Sequence, residues 1–247
     1  MNDYRAFTLA EVLITLGIIG VVAAMTLPTL ITNYKEKQTV SQLKKVYSAL
    51  SQAWLMMEND YGSIDEWGLT NTSTGQTDPE TGERIYDRSA QSLVAQRLKP
   101  HLKIIRDCKA GEVCDNRKSA NLAESTWSDP STSDTDGIAF WLNDGTLIRL
   151  GYYTHSRLGY SNDEFPKIDI SVTLPGRTIV TGKNQFVFEG HPHKIQPEGL
   201  KGYNNDFDNV CKDNNGRGCT AWVIVNENLD YLHCRDKLSW TGKSSCK

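Results

Sequence analysis

The feature that most constrains this chain is an apolar run of 26 residues near its N-terminus, Phe7 to Thr32, which contains a single charge, Glu11. A helix of this length spans the hydrocarbon core of a bilayer, which is roughly 30 Å thick. One ionisable side chain within such a span costs about 2.5 to 3.5 kcal/mol on insertion scales. The run therefore predicts a membrane-crossing helix whose carboxylate has a specific role.

The residues before the run distinguish it from an ordinary secretory signal. Six residues, MNDYRA, precede Phe7, with a basic side chain at Arg5 and a small residue, Ala6, at the junction. A secretory signal carries its small-residue cleavage site after the apolar region, whereas here the small residue comes before it. Cleavage between Ala6 and Phe7 would leave the apolar helix on the mature chain, with a free amine at Phe7 and Glu11 as the fifth residue.

This segment, AFTLAEVLITLGIIGVVAAMTLP, resembles the N-terminus of type IV pilins and type II secretion pseudopilins. The matching residues are Phe7, Thr8, Leu9 and Glu11. The resemblance implies that a prepilin peptidase cuts before Phe7 and methylates its new amine. The family has glycine before the cut, and this chain departs from that pattern with Ala6, which is also small. Gly17, Gly20 and Pro28 fall where pilin stems have helix-loosening residues.

Two interpretations of Glu11 follow. In a fibre of packed stems, a carboxylate is tolerated in the apolar core if a cation meets it, and the nearest cation is the Phe7 amine of a neighbouring subunit. Such a pair would set the axial register between subunits. The alternative is a bitopic membrane protein in which Glu11, about 6 Å along the helix from Phe7, reaches the membrane edge or stays protonated.

Beyond the apolar run the helical pattern continues. Pro28 lacks a backbone donor, so we expect it to kink the stem. Apolar residues then recur at spacings of three and four: Val40, Leu43, Tyr47, Leu50, Trp54, Met57 and Tyr61. This stripe predicts a helix that packs on the protein's own sheet and ends before Gly62. Charged residues are expected off the stripe: Lys35, Lys37, Lys44, Lys45 and Glu58.

The rest of the chain favours β-structure with turn-rich loops. Two apolar runs flank Asn143-Asp144-Gly145, which predicts a hairpin. Further strands are expected at Lys167–Val172, Gln185–Glu189 and Thr220–Val225, a short helix at Arg88–Leu98, and a loop or small hairpin at residues 69–84. The fold class predicted is α+β and pilin-like: a long N-terminal helix, transmembrane in its first half, packed on an antiparallel sheet with disulfide-stapled loops. We expect a leader at 1–6, a stem helix at 7–32, its amphipathic continuation at 33–61 and an extracytoplasmic globular domain at 62–247.

Six cysteines in an exported body favour three disulfides over a metal site. They occur as Cys108 and Cys114, Cys211 and Cys219, and Cys234 and Cys246. Fifteen pairings can be drawn, and the sequence does not choose among them. Pairing of neighbours is the simplest hypothesis, because each couple encloses a short, turn-rich loop. No C-x-x-C is present, and no spacing suits a zinc ribbon.

The sequence offers little that indicates catalysis, and we predict no enzyme, no cofactor and no metal. His191 and His193 lack a third ligand, and the neighbouring Gly190 and Pro192 suggest a surface turn. Asp163 and Glu164 are adjacent and are expected to be solvated. The segments GKNQFVFEG and HKIQPEG faintly resemble the C-terminal part of major pseudopilins, where calcium can bind, and Asn184, at a position where aspartate is expected, weakens the carry-over of calcium ligands. The acidic residues of a later loop are irregularly spaced for calcium: Asp206, Asp208, Asp213 and Asn215.

These observations predict a structural subunit of a type IV pilus or a type II secretion pseudopilus, polymerised through its N-terminal helix. The resemblance implies an inner-membrane, single-pass precursor with a cytoplasmic N-terminus, which later enters a periplasmic pseudopilus or a surface pilus. The partners implied are prepilin peptidase, other pilin subunits, the inner-membrane assembly platform and the membrane. The net charge of −3 does not favour nucleic acid, which is expected only for a DNA-uptake pilus. The alternative is a minor tip subunit that binds a surface, DNA or a secreted substrate.

Overall fold

The computed structural model describes residues 8–80, 82, 84–108, 112–129, 138–154, 166–213 and 215–246. Its helices are α1 (Leu9–Tyr61), α2 (Ser89–Leu98), α3 (Thr220–Asn226) and α4 (Tyr231–Cys234). Its strands are β1 (Ser73–Thr77), β2 (Arg84–Tyr86), β3 (Ile104–Asp107), β4 (Ser119–Ala120), β5 (Trp127–Ser128), β6 (Ile138–Leu142), β7 (Leu147–Thr154), β8 (Lys167–Thr173), β9 (Ile179–Val180), β10 (Gln185–His191) and β11 (Lys194–Pro197). The predicted α+β class, with a long N-terminal helix and an antiparallel sheet, is confirmed.

The chain divides into two units, and the boundary falls inside α1, between Thr39 and Val40. The first unit contains only helix among its described residues, apart from Thr8 at its start. The second, here called the body, runs from Val40 to the C-terminus and contains all the strands that the structure describes. Helix α1 ends at Tyr61, as expected from Gly62, which adopts φ +81° and donates its N–H to the carbonyl of Glu58 at 2.8 Å.

A six-stranded sheet in the order β11-β10-β8-β7-β6-β3 forms the centre of the body, and its neighbouring strands are antiparallel. The predicted hairpin at Asn143-Asp144-Gly145 joins β6 to β7, with Gly145 at φ +79°. Strands β8 and β10 confirm two of the predicted strands. A smaller sheet pairs β4 with β5 and β9, and β1 pairs with β2 as an exposed hairpin.

The part of α1 within the body packs on one face of the large sheet. Tyr47 stacks on Phe188 of β10 with ring centroids 5.3 Å apart, and the indole N–H of Trp54 donates to the carbonyl of His191 at 2.9 Å. Alternate residues of β8, Ile168, Ile170 and Val172, are fully buried on the same core. The amphipathic stripe therefore covers the protein's own sheet, as its spacing predicted.

Two details of the predicted stripe are wrong. Tyr61 is 48% exposed, because it lies in the last turn of α1. Glu58, expected off the stripe, is buried at 8% exposure. Its carboxylate accepts hydrogen bonds from the backbone N–H of His193 at 2.8 Å and of Ile64 at 3.2 Å. The buried carboxylate is tolerated because it accepts hydrogen bonds from the backbone that follows α1 and from the turn between β10 and β11.

The predicted strand at residues 220–225 is also wrong, since Thr220–Asn226 forms α3. A short apolar run fits a buried helix as well as a strand, and its periodicity does not separate the two. Tertiary contacts favour the helix. Trp222 stacks on Phe207 with ring centroids 3.9 Å apart, and the backbone N–H of Ala221 donates to the carbonyl of Glu198 at 2.9 Å.

All six cysteines form disulfides, each with its neighbour in sequence: Cys108 with Cys114, Cys211 with Cys219 and Cys234 with Cys246. The middle disulfide is fully buried in the core, whereas Cys246 is exposed. The disulfide-stapled loops expected from the sequence are therefore part of the fold.

Candidate functional site

Reciprocal hydrogen bonds between Thr8 and Glu11 close the first turn of α1. The backbone N–H and the hydroxyl of Thr8 donate to Oε2 of Glu11 at 2.8 and 2.7 Å. The backbone N–H of Glu11 donates in return to the hydroxyl oxygen of Thr8 at 3.3 Å. This arrangement is a capping box, which satisfies N–H groups that have no acceptor within the helix.

The capping box changes what Glu11 needs from its surroundings. This partner of Glu11, which the sequence reasoning missed, has a recognisable signature, since Thr-x-x-Glu before an apolar run is typical of the motif. Only Oε2 is used, and among the described residues nothing donates to Oε1. One carboxylate oxygen is therefore held by its own chain, and the other is available to a second group.

The surface of α1 beyond the capping box is apolar and uncovered. Its large apolar side chains from Leu9 to Ile31 are 41 to 78% exposed. The hydroxyls of Thr26 and Thr32 donate to the carbonyls of Val22 and Pro28, both at 3.0 Å, so they need no solvent. Within the described part of the chain, α1 is the one helix long and apolar enough to cross a membrane.

Three predicted site residues stay predictions. Ala6 and Phe7, the expected cleavage and methylation positions, lie outside the described residues. Pro28 lies inside α1, which continues as helix on both sides of it. The expected kink at Pro28 therefore remains a prediction.

The body contains a buried charged cluster that the sequence reasoning missed. Lys167 and His191 both contact the carboxylate of Glu189, at 2.5 and 3.3 Å. Burial alone would raise the pKa of Glu189, but the hydrogen bond from His191 and the charge of Lys167 hold that pKa below its ordinary value. His191 is fully buried, so its predicted location in a surface turn is wrong, whereas His193 lies exposed in the β10–β11 turn at φ +64°.

A second charged cluster joins the large sheet to the C-terminal segment. Arg217 contacts Asp169 of β8 and Glu198, each at 3.1 Å, and Asn205 donates to Glu198 at 3.1 Å. Although burial opposes the charged form, the two carboxylates raise the pKa of Arg217, which therefore stays charged. Both carboxylates of the cluster have partners, so we interpret it as a structural contact that holds the C-terminal segment against the large sheet.

The calcium candidates have other partners. Asp206 accepts from the backbone N–H of Asn209 at 2.9 Å, Asp208 contacts Lys212 at 2.6 Å, and Asp213 accepts from the N–H of Asn215 at 2.8 Å. Among the described residues, no three His, Cys, Asp or Glu side chains lie close enough to hold a metal. Asp163 and Glu164 lie outside the described residues.

Comparison with known families divides the chain into two regions. Residues 1–27 match the model of the prokaryotic N-terminal methylation motif, which is the motif of type IV pilins and pseudopilins. Residues 29–218 match the model of Family of unknown function (DUF6613), over more than half of the chain. The chain belongs to this family. No curated protein and no solved structure matches it.

The two matched regions correspond to different parts of the structure. The methylation motif contains the capping box and the exposed apolar part of α1 as far as Leu27. The DUF6613 region begins at residue 29, inside α1, and contains all the strands described above. The chain is thus a type IV pilin-like subunit that matches DUF6613 over residues 29–218, and proteins of the pilin class are in general structural rather than enzymatic.

Proposed function

We propose that this protein is an assembly subunit of a type IV pilus or a type II secretion pseudopilus, polymerised through the N-terminal part of α1. The observation that carries the proposal is the start of that helix. The first turn is capped by Glu11, whose carboxylate accepts hydrogen bonds through one of its two oxygens. A long apolar surface follows, and no described residue of its own unit covers it. In the membrane, lipid chains would cover this apolar surface. In the fibre, the N-terminal helices of neighbouring subunits would cover it.

The first step is processing at the membrane. The precursor would lie in the inner membrane as a single span, with residues 1–6 in the cytoplasm and the globular domain of residues 62–247 outside. Prepilin peptidase would cut between Ala6 and Phe7 and methylate the Phe7 amine. The stem of residues 7–32 and its continuation at 33–61 would remain on the mature subunit.

The second step is assembly, in which Glu11 acts twice. In the membrane-held subunit, the capping box keeps one carboxylate oxygen hydrogen-bonded, which lowers the cost of the charge in an apolar medium. In the fibre, the second oxygen would meet the amine of a neighbouring Phe7 and set the register of the two stems. The remaining partners would be other pilin subunits and the assembly platform of the inner membrane.

Processing and assembly can be tested together in cells that express prepilin peptidase and the other subunits of one system. Intact mass should show loss of residues 1–6 and N-methylation at Phe7, and sheared fibres should contain the protein. An unprocessed N-terminus, in cells where other prepilins are cut, would contradict the proposal. Ala6→Gly is the matched control, because it restores the usual residue before the cut and should be processed at least as fast.

A minor subunit at the fibre tip is the second candidate. It is favoured by the size of the body, whose described residues form three sheets and a C-terminal segment beyond the DUF6613 match. Such a subunit would bind a surface, DNA or a secreted substrate. Immunogold labelling separates the two: label along sheared fibres supports a major subunit, and label confined to their ends supports a tip subunit.

A further inference from the structure

The body has an open cleft of about 640 Å³ on the side of the large sheet that α1 does not cover. Arg149 of β7 and Ser171 of β8 are paired in register and line its floor, and they alternate with the core residues Leu150 and Ile170. The small sheet β4-β5-β9 forms another wall. The cleft lies wholly within the body and is separate from the apolar helix.

Hydroxyl and carboxamide groups dominate the lining. They include Ser119, Thr126, Ser128, Ser171, Gln185 and Asn215. Among the described lining residues, only Ala120 and Ile179 are apolar. A site with so little apolar surface gains little from binding an aromatic or aliphatic ligand, because hydrophobic transfer scales with the apolar area buried.

The charged groups of the cleft are balanced. Among the described lining residues are two arginines, Arg117 and Arg149, and two aspartates, Asp129 and Asp213. Arg117 is already engaged, since its Nε lies 2.9 Å from both carboxylate oxygens of Asp115. Asp129 pairs with Lys118 at 3.1 Å. The balance disfavours a polyanion, which needs an excess of positive charge.

The walls of the cleft are held in place by hydrogen bonds and a disulfide. Nη1 of Arg117 donates to the carbonyl of Leu174 at 3.2 Å, which ties the small sheet to the end of β8. The side chain of Asn184 accepts from the backbone N–H of Val180 at 2.7 Å and donates to the carbonyl of Thr178, also at 2.7 Å. The disulfide between Cys211 and Cys219 closes the loop that carries Asn215. A preorganised polar site loses less entropy when a ligand binds.

From these features we infer that the cleft binds a neutral carbohydrate, a short oligosaccharide presented on a surface or free in solution. Sugar hydroxyls both donate and accept, as do the serine, threonine and carboxamide groups of the lining. The volume falls in the range of small-molecule sites, about 300 to 1,000 Å³. This binding activity does not depend on whether the protein is a major or a tip subunit.

The test uses the full chain in a zwitterionic detergent, because detergents with sugar headgroups would compete for the cleft. The protein is applied to an array of neutral oligosaccharides, and binding is measured by saturation-transfer NMR. Two variants probe the cleft: Ser128→Tyr fills it from the rim, and Asn215→Ala removes one carboxamide without adding bulk. Ser73→Tyr is the matched control, since Ser73 is an exposed hydroxyl on β1 outside the cleft.

We expect at least one neutral oligosaccharide to bind, with affinity about tenfold weaker in both cleft variants and unchanged in Ser73→Tyr. Circular dichroism checks that each variant is folded. If Ser128→Tyr does not fold, the result for Asn215→Ala decides the test. The inference is overturned if no neutral glycan binds, if only polyanions bind, or if Asn215→Ala binds as tightly as the unmodified chain.

Discussion

Gly190 lies directly against the indole ring of Trp54. A Cβ atom at position 190 would come within 2.5 Å of Cη2 and 2.8 Å of Cζ2 of that ring. Trp54 is fully buried, and its N–H is bonded to the carbonyl of His191, the residue after the glycine. The ring and the strand therefore fit together only because residue 190 has no side chain, and this contact fixes how closely α1 approaches β10.

Gly190→Ala should lower the free energy of unfolding by about 1 to 3 kcal/mol, the usual cost of overpacking a core. The indole cannot move away without losing its bond to His191. Urea unfolding of the full chain measures the change. Trp54→Leu removes the ring, so Gly190→Ala should cost markedly less in that background. An equal cost in both backgrounds would mean that the ring does not cause the effect.

Glu11→Ala should leave membrane insertion intact, because removing a charge makes insertion easier. Fibre assembly should fail, since the neighbouring amine would be buried unpaired, which typically costs about 3 to 5 kcal/mol. Glu11→Gln should be intermediate. The measurement is the yield of sheared fibres relative to membrane-held subunit.

Thr8→Val is the control that separates capping from register. It removes the hydroxyl of the capping box but keeps the carboxylate of Glu11 and the shape of residue 8. We expect Thr8→Val to retain fibres. If it abolished them as completely as Glu11→Ala, capping alone would account for Glu11, and the interpretation as a bitopic anchor would gain support.

Replacing Cys211 and Cys219 together by alanine should lower the free energy of unfolding by about 2 to 5 kcal/mol. Both sulfurs are fully buried, so the substitution also leaves space in the core. The matched control is the double alanine variant of Cys234 and Cys246, whose disulfide is more exposed and should cost less. Urea unfolding of the oxidised variants compares them. A larger cost for the exposed pair would contradict the assignment of Cys211–Cys219 to the core.

The stability of the body should fall in acid because of Glu189. Lys167 and His191 hold the pKa of Glu189 below its ordinary value of 4.5 against the effect of burial. A carboxyl whose pKa is lowered by folding contributes stability that is complete above its unfolded pKa and is lost as the pH falls through its folded pKa. Glu189→Gln should therefore reduce stability near neutrality and flatten the decline below about pH 4.5. Urea unfolding across this pH range measures the free energy of unfolding of both proteins. If the variant loses as much stability in acid as the unmodified chain, Glu189 is not the source of that loss.

Several elements follow from the sequence because their causes are local. The apolar run forms a helix by its own composition, and Gly62 ends that helix with a positive φ. The turn at Asn143-Asp144-Gly145 forms the predicted hairpin because glycine adopts the conformation that the turn needs. Helix α2 ends at Leu98, as expected, although Lys99 before Pro100 keeps helical dihedral angles (φ −54°, ψ −38°) and begins a 3-10 turn that runs to His101. The capping box was also readable, since Thr8 and Glu11 have the required spacing.

Other features depend on contacts between residues distant in sequence. Thr220–Asn226 is a helix because Trp222 stacks on Phe207, although the same run has the composition of a strand. Glu58 is buried because the backbone N–H of His193, 135 residues along the chain, satisfies its carboxylate, which residue type alone does not predict. The polar cleft is assembled from strands and loops that the sequence separates by up to about a hundred residues. Local propensity determines where helices and turns form, but only the packed structure determines which polar groups are buried together and which are left to bind a ligand.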